Sequence, residues 1–271
     1  MEEIAPGVYV LMAYSSINVG MVVAGDGALA VDAPPATEHQ AWRRALRALG
    51  VPLRYLIVTG DQPERVEGAG WVDAPIIAAQ GDGTDWPVSP ASGRPLRPEI
   101  LVDGRLTFHT SFPVAVERVP GPRARSLWVW LPEQAILFTG DVVIVGRHPA
   151  LAEAPSILRW LETLKRISEG NVPVRQVVPG RGPIGGPEVV EPLVAYVERA
   201  LELVQAARSS GGARADLARA AEELMSLFPV PDGDVDRQRQ QIRVGLERLL
   251  EETCSEGESH EPGRTGSGTR R

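Results

Sequence analysis

The sequence predicts an α/β protein, rich in strands over its first two thirds and helical at its end. Two series of short apolar runs, each closed by a helical stretch, carry this reading, together with helical periodicity over residues 188–252. Composition agrees, because 28 glycines and 24 prolines in 271 residues, 43% of them hydrophobic, are more turn-formers than a helical bundle needs. That length allows one large domain or two small ones, and the same figures exclude collagen, coiled coil and wholesale disorder.

The first series opens with Val8-Tyr9-Val10-Leu11, followed by apolar runs over 19–24 and 28–31, which read as antiparallel strands turned by Gly25-Asp26-Gly27. Trp42, Ala45, Leu46 and Leu49 recur at helical spacing, which predicts a helix over 37–49 stopped at Gly50-Val51-Pro52. Tyr55-Leu56-Ile57-Val58 is a buried strand that delivers the chain to a loop over 59–68, a common setting for chemistry. A strand over 75–79 leads into an irregular loop over 81–98, rich in Gly, Pro, Asp and Ser. The second series has strands over 106–109, 114–119, 127–131 and 135–139, a helix over 156–168, a strand over 174–178 and a Gly/Pro loop over 179–187. Helix then follows from 188 to 252, broken at 209–212 and 229–233. Residues 253–271 hold almost no apolar side chain and are expected to be disordered. The predicted division is a main domain over 1–208, a helical extension over 209–252 packed on it, and a tail over 253–271.

Thirty-five acids against 28 bases leave a net charge of -7, which disfavours gripping nucleic acid or anionic lipid by bulk charge. The single cysteine, Cys254, rules out an intrachain disulfide and a thiolate metal cluster. The acidic start Met1-Glu2-Glu3 is unlike a secretory signal, and no apolar run approaches the ~18 residues a membrane span requires. A soluble cytoplasmic protein without a nucleic-acid or membrane partner is the expectation.

Several ordered segments resemble the metallo-β-lactamase superfamily over roughly residues 5–200. Asn18-Val19-Gly20-Met21-Val22-Val23 through Leu29-Ala30-Val31-Asp32 is similar to that family's opening hairpins, which end in an aspartate at the base of the site. Leu56-Ile57-Val58-Thr59 resembles the strand before its first metal-binding loop. Val119-Pro120-Gly121, Ile136-Leu137-Phe138-Thr139-Gly140-Asp141 and Val177-Val178-Pro179-Gly180-Arg181-Gly182 resemble its later site segments in the same order. The resemblance implies an αββα sandwich, here with extra C-terminal helices, and metal-dependent hydrolysis as the family's usual activity.

The residues for that chemistry are mostly replaced. Where the family has His-x-His-x-Asp-His after the threonine, this chain has Gly60, Gln62, Glu64 and Arg65; later histidines fall on Pro122 and Arg181, and only Asp141 is unchanged. Zinc takes lone pairs from imidazole, thiolate or carboxylate, which Gly60 and Pro122 lack. Arg65 and Arg181 are permanently charged and have no acceptor atom. The four histidines, His39, His109, His148 and His260, fall outside the matched ligand positions. No metal and no other cofactor is therefore expected.

Two readings of these replacements are open. In the first, Arg65 and Arg181 enter the old metal position and pair with Glu64 and Asp141, replacing ionic charge by guanidinium. In the second, Arg65, Arg123, Arg125, Arg147 and Arg181 surround one cleft and outnumber Asp61, Glu64, Asp141 and Asp32, leaving a field for carboxylate or phosphate. Arg123, Arg125 and Arg147 otherwise point to solvent. Trp71, Trp86, Trp128, Trp130 and Trp160 read as core, with Trp86 alone a candidate cover for the cleft. Leu201, Val204, Leu217, Leu224, Leu246 and Leu249 mark either ordinary packing or a homodimer surface.

The functional expectation is a non-catalytic binding or regulatory module, a pseudoenzyme whose partner is a small anion or a protein. The alternative is a hydrolase of the same superfamily that holds one hard cation on Asp61, Gln62, Glu64 and Asp141.

Overall fold

The computed structural model describes residues 1–12, 17–25, 27–35, 37–81, 86–89, 93–210, 214–230 and 233–258, with side chains described as far as Cys254. Asp26 of the expected turn, residues 82–85 and 90–92 of the expected long loop, and the tail from 259, including His260, lie outside the described residues.

Seven strands form the first sheet. They are β1 (Glu2–Ala5), β2 (Val8–Met12), β3 (Asn18–Ala24), β4 (Gly27–Val31), β5 (Leu53–Val58), β6 (Ile76–Ala79) and, after the short hairpin β7 (Val88–Ser89) and β8 (Arg94–Pro95), β9 (Ile100–Val102). Their order is β1-β2-β3-β4-β5-β6-β9. The first four pair antiparallel and the rest parallel. The parallel half needs a crossover between strands, which helix α1 (His39–Ala48) supplies before β5 and α2 (Pro63–Ala69) before β6. The second sheet is β10 (Arg105–His109), β11 (Pro113–Arg118), β12 (Leu127–Leu131), β13 (Ile136–Ile144) and β14 (Gln176–Arg181), in chain order, with only the last pair parallel. Helix α3 (Ile157–Ser168) makes that last crossover, and α4 (Glu191–Ser209), α5 (Arg214–Met225) and α6 (Val235–Glu258) complete the chain.

Three apolar layers hold these elements together. Between the sheets lie Val10, Val22, Ile57 and Ile77 from the first and Val116, Val129, Phe138 and Val178 from the second. Outside the first sheet, Trp42 of α1 and Val66 and Ala69 of α2 cover Leu56, Val58 and Ala78. Outside the second, Trp160, Tyr196, Leu217 and Leu246 of α3–α6 cover Trp128, Leu137 and Val177. The result is the expected αββα sandwich. The C-terminal helices share that outer core, and Glu252 of α6 caps the start of α3, accepting from Ile157 N at 2.9 Å and from the Ser156 hydroxyl.

Several elements depart from expectation. Residues 63–69, expected as loop, form α2: Pro63 stands at the first helical position, where its missing N–H costs nothing, and Val66 and Ala69 are buried beneath. Strand β13 does not stop at residue 139; it runs on through Asp141 to Ile144, and its register with β14 shifts around Gly140, whose φ is 54°. Strand β14 likewise includes Pro179-Gly180-Arg181 from the expected loop. The 81–98 segment contains the β7–β8 hairpin, and α6 passes the expected boundary at Glu252 to reach Glu258. Trp71, expected in the core, is 39% exposed and packs on His39 at 5.4 Å between ring centres. No helix among the described residues is long and apolar enough to cross a membrane.

Candidate functional site

The site forms where strands of both sheets end together. Asp32 follows β4, Thr59 follows β5, Asp141 lies in β13 just past Gly140, where the register shifts, and Arg181 closes β14. Asn18 at the start of β3 ties the two sheets at this edge, donating from Nδ2 to the carbonyls of Pro179 at 2.9 Å and Gly182 at 2.8 Å.

Arg65 is the centre of the floor. Helix α2 carries it inward, and its side chain is fully buried. Nη1 donates to Asp32 Oδ2, and Nη2 to Asp141 Oδ1 at 2.5 Å. Asp32 also accepts from Thr59 N at 2.9 Å and Thr59 Oγ1 at 2.6 Å. Its backbone has φ 58°, in the left-handed region that aspartate enters more readily than most residues. Arg181 donates from Nε to Asp141 Oδ2 at 3.3 Å and reaches Glu64 at 3.5 Å. The approach is close enough to require glycine at 180, where a Cβ would stand 2.2 Å from Asp141 Oδ1 and 2.6 Å from Arg65 Nη2.

The electrostatics follow from burial and pairing. Burial raises the Asp141 carboxyl, but Arg65 and then Arg181 outweigh it and hold the pKa below the usual carboxylate value. Burial pushes the Asp32 carboxyl up, with Arg65 and Thr59 offsetting only part of it. For Arg65 burial acts downward, and the two aspartates more than compensate.

Above this floor opens a cleft of about 760 Å³. Arg123, Arg147, Arg181 and Arg237 line it, opposed by Glu64, Asp141, Glu153 and Asp234. The expected surplus of arginine over acid is therefore not present on the wall. One reason is that Arg125 leaves it: its guanidinium lies 5.0 Å over the Trp86 ring and 3.4 Å from Asp61. Trp86 itself is buried in the outer core of the first sheet, under Arg125, so it is core and not a cover. The other reason is that Glu153 and Asp234 arrive from segments whose place the sequence did not reveal. Arg123 pairs with Glu153 and lies 3.7 Å from Asp61. Gly60 sits beside Gln62, and Pro122 lies on the cleft wall.

Sequence reasoning missed one contributor and left the roles of two others open. Asp32 is expected at the base of the site among the acids opposing the arginines, and it is the second carboxylate of Arg65. Arg237 comes from α6 in the C-terminal extension, and no sequence signal linked it to the cleft. His148 also lines the cleft; its Nε2 meets the Phe228 carbonyl at 3.1 Å and its Nδ1 the Tyr196 hydroxyl at 3.2 Å. A carbonyl only accepts, so Nε2 carries the proton and Nδ1 receives the tyrosine O–H. Burial pulls the His148 pKa below its ordinary value, partly countered by the Phe228 carbonyl.

No protein-family model matches the sequence, and no curated protein matches it. Solved structures do match the fold. A metallo-β-lactamase family protein from Thermus thermophilus superposes with a TM-score of 0.67 at 17% identity, covering 94% of this chain and 95% of its own. The DIM-1 metallo-β-lactamase gives 0.61 at 20% identity, covering 73% of this chain and 95% of its own. The inverting sec-alkylsulfatase Pisa1 from Pseudomonas sp. gives 0.64 at 14% identity, with 97% of this chain matching 52% of that one. The chain has the metallo-β-lactamase fold, with helices outside two facing sheets.

Proposed function

We propose that the protein is a metal-free, non-catalytic binding or regulatory module whose cleft takes a small anion bearing carboxylate or phosphate. The observation that carries the metal-free part of this reading is the buried Arg65 guanidinium bridging Asp32 and Asp141, and the arginines lining the cleft support the anion. Arg65 supplies the positive charge that two buried carboxylates require, so those carboxylates have no need of a metal ion. The donor set does not fit a dication: Gly60 and Pro122 offer no lone pair from a side chain, and Arg65 and Arg181 offer only N–H donors. A single hard cation on Asp61, Glu64 and Asp141 is no better served. Each of these acids is within 3.5 Å of a guanidinium, and among the described residues no group of three His, Cys, Asp or Glu side chains is placed to hold a metal.

Two measurements test the proposal. Elemental analysis of purified, dialysed protein should find no stoichiometric transition metal; close to one zinc per chain would overturn the metal-free reading. A thermal-shift screen of organic acids and phosphorylated metabolites should raise the melting temperature, since ligand at a hundred times its dissociation constant adds about 2.7 kcal/mol. Arg181→Gln should abolish the shift, whereas Arg243→Gln on α6, which pairs with Glu247 at 3.8 Å, should leave it intact.

A further inference from the structure

The charges lining the cleft are not equally engaged. Glu64, Asp141 and Glu153 each face an arginine partner, and Arg123 and Arg181 each face a carboxylate. Arg147 and Arg237 also line the cleft, and among the described residues neither side chain makes an ion pair or a hydrogen bond. They come from different parts of the fold, Arg147 from the loop after β13 and Arg237 from the first turn of α6, and both side chains are exposed. Asp234, on the same rim as Arg237, is likewise without an ion pair among the described residues. Two such cations against one such anion leave a net positive charge for an anionic group on a ligand.

A second observation lies on the wall nearer the floor. Gln62 is 8% exposed and lines the cleft, yet its buried Oε1 has no hydrogen-bond partner among the described residues. Buried amides are ordinarily satisfied, and leaving one unpaired is costly. Gln238 and Gln241 of α6 add two more carboxamides to the same wall. A carboxamide both donates and accepts, which matches the hydroxyl group, itself both donor and acceptor.

We infer that the ligand is a small polyhydroxylated anion, a sugar acid or sugar phosphate in class. Arg147 and Arg237 hold its charged group, while Gln62, Gln238 and Gln241 receive its hydroxyls. This rests on the reading of the cleft as an anion site and adds that the C-terminal helix α6 completes it.

The test uses calorimetric titration of the full chain with gluconate and glucose 6-phosphate, each compared with its bare anion, acetate or inorganic phosphate. At least one polyol should bind ten-fold or more tightly than its bare anion, and the arm that does so identifies the anionic group. Arg237→Gln and Arg147→Gln should each weaken polyol and bare anion alike by ten-fold or more. Gln62→Leu should remove the polyol advantage and spare the bare anion; because the Gln62 side chain makes no bond among the described residues, this change leaves the protein's own hydrogen bonds intact. If bare anions bind, are lost in Arg181→Gln but not in Arg237→Gln, and polyols gain nothing, this inference fails while the anion cleft stands. If nothing binds, both fail.

Discussion

Replacing Arg65 by Met should strand the carboxylates it bridges, and the structure shows where the cost falls. Asp141 keeps Arg181 at 3.3 Å and has some access to solvent. Among the described residues Asp32 keeps two neutral donors, Thr59 N and Thr59 Oγ1, in a site that is 2% exposed. Removing one partner of a buried pair costs about 3–5 kcal/mol, chiefly by leaving the other charge uncompensated. Methionine fills most of the arginine volume, so a cavity adds little. Equilibrium urea denaturation near neutral pH should therefore show a loss in this range. Burial already pushes the Asp32 pKa up, and without Arg65 it rises further, so the folded variant binds a proton at pH values where the unfolded chain does not. The penalty is then smallest in acid and grows as pH rises through that folded pKa; the gap to the wild type should narrow as pH falls. Adding Asp32→Asn, which keeps the shape and removes the charge, should recover much of the loss. A loss below about 1 kcal/mol, or a large loss that neither shrinks in acid nor responds to Asp32→Asn, would refute the argument.

Three further outcomes follow from other parts of the molecule. Because His148 has a pKa lowered by burial, the unfolded chain takes up a proton first as pH drops below about 6.5, so wild-type stability should fall there; His148→Gln should flatten this slope in denaturation at pH 8, 6 and 5, and identical slopes would count against it. Glu252→Ala removes the carboxylate that caps α3 and should cost about 0.5–2 kcal/mol in thermal or urea unfolding, with no change marking the cap as idle. Leu246→Ala, in the core shared by α3–α6 and the second sheet, should cost about 2–5 kcal/mol while unfolding stays a single transition; a separate early transition would show that the C-terminal helices fold apart.

Much of the architecture is legible in the sequence because periodicity is a local property. Alternating apolar runs mark strands, Trp42 and Leu46 mark one face of a helix, and the two facing sheets with helices outside are what the resemblance to the metallo-β-lactamase superfamily implies. The site positions Asp141, Arg65 and Arg181 are legible through that resemblance, because each falls on a matched ligand position beside an apolar strand. Helix α2 is not, since residues 59–68 hold only Val66 as a large apolar side chain, and the packing of Val66 and Ala69 under the first sheet decides the conformation. What only the tertiary structure decided is which charge meets which. Arg65 bonds Asp32, 33 residues away, and Asp141, 76 residues away; Arg125 turns from the cleft to Trp86, and Arg237 enters the cleft from a helix expected to serve packing or a dimer surface. A residue's type determines that a buried guanidinium must find carboxylates. The convergence of strand ends from two sheets determines which carboxylates are there to be found.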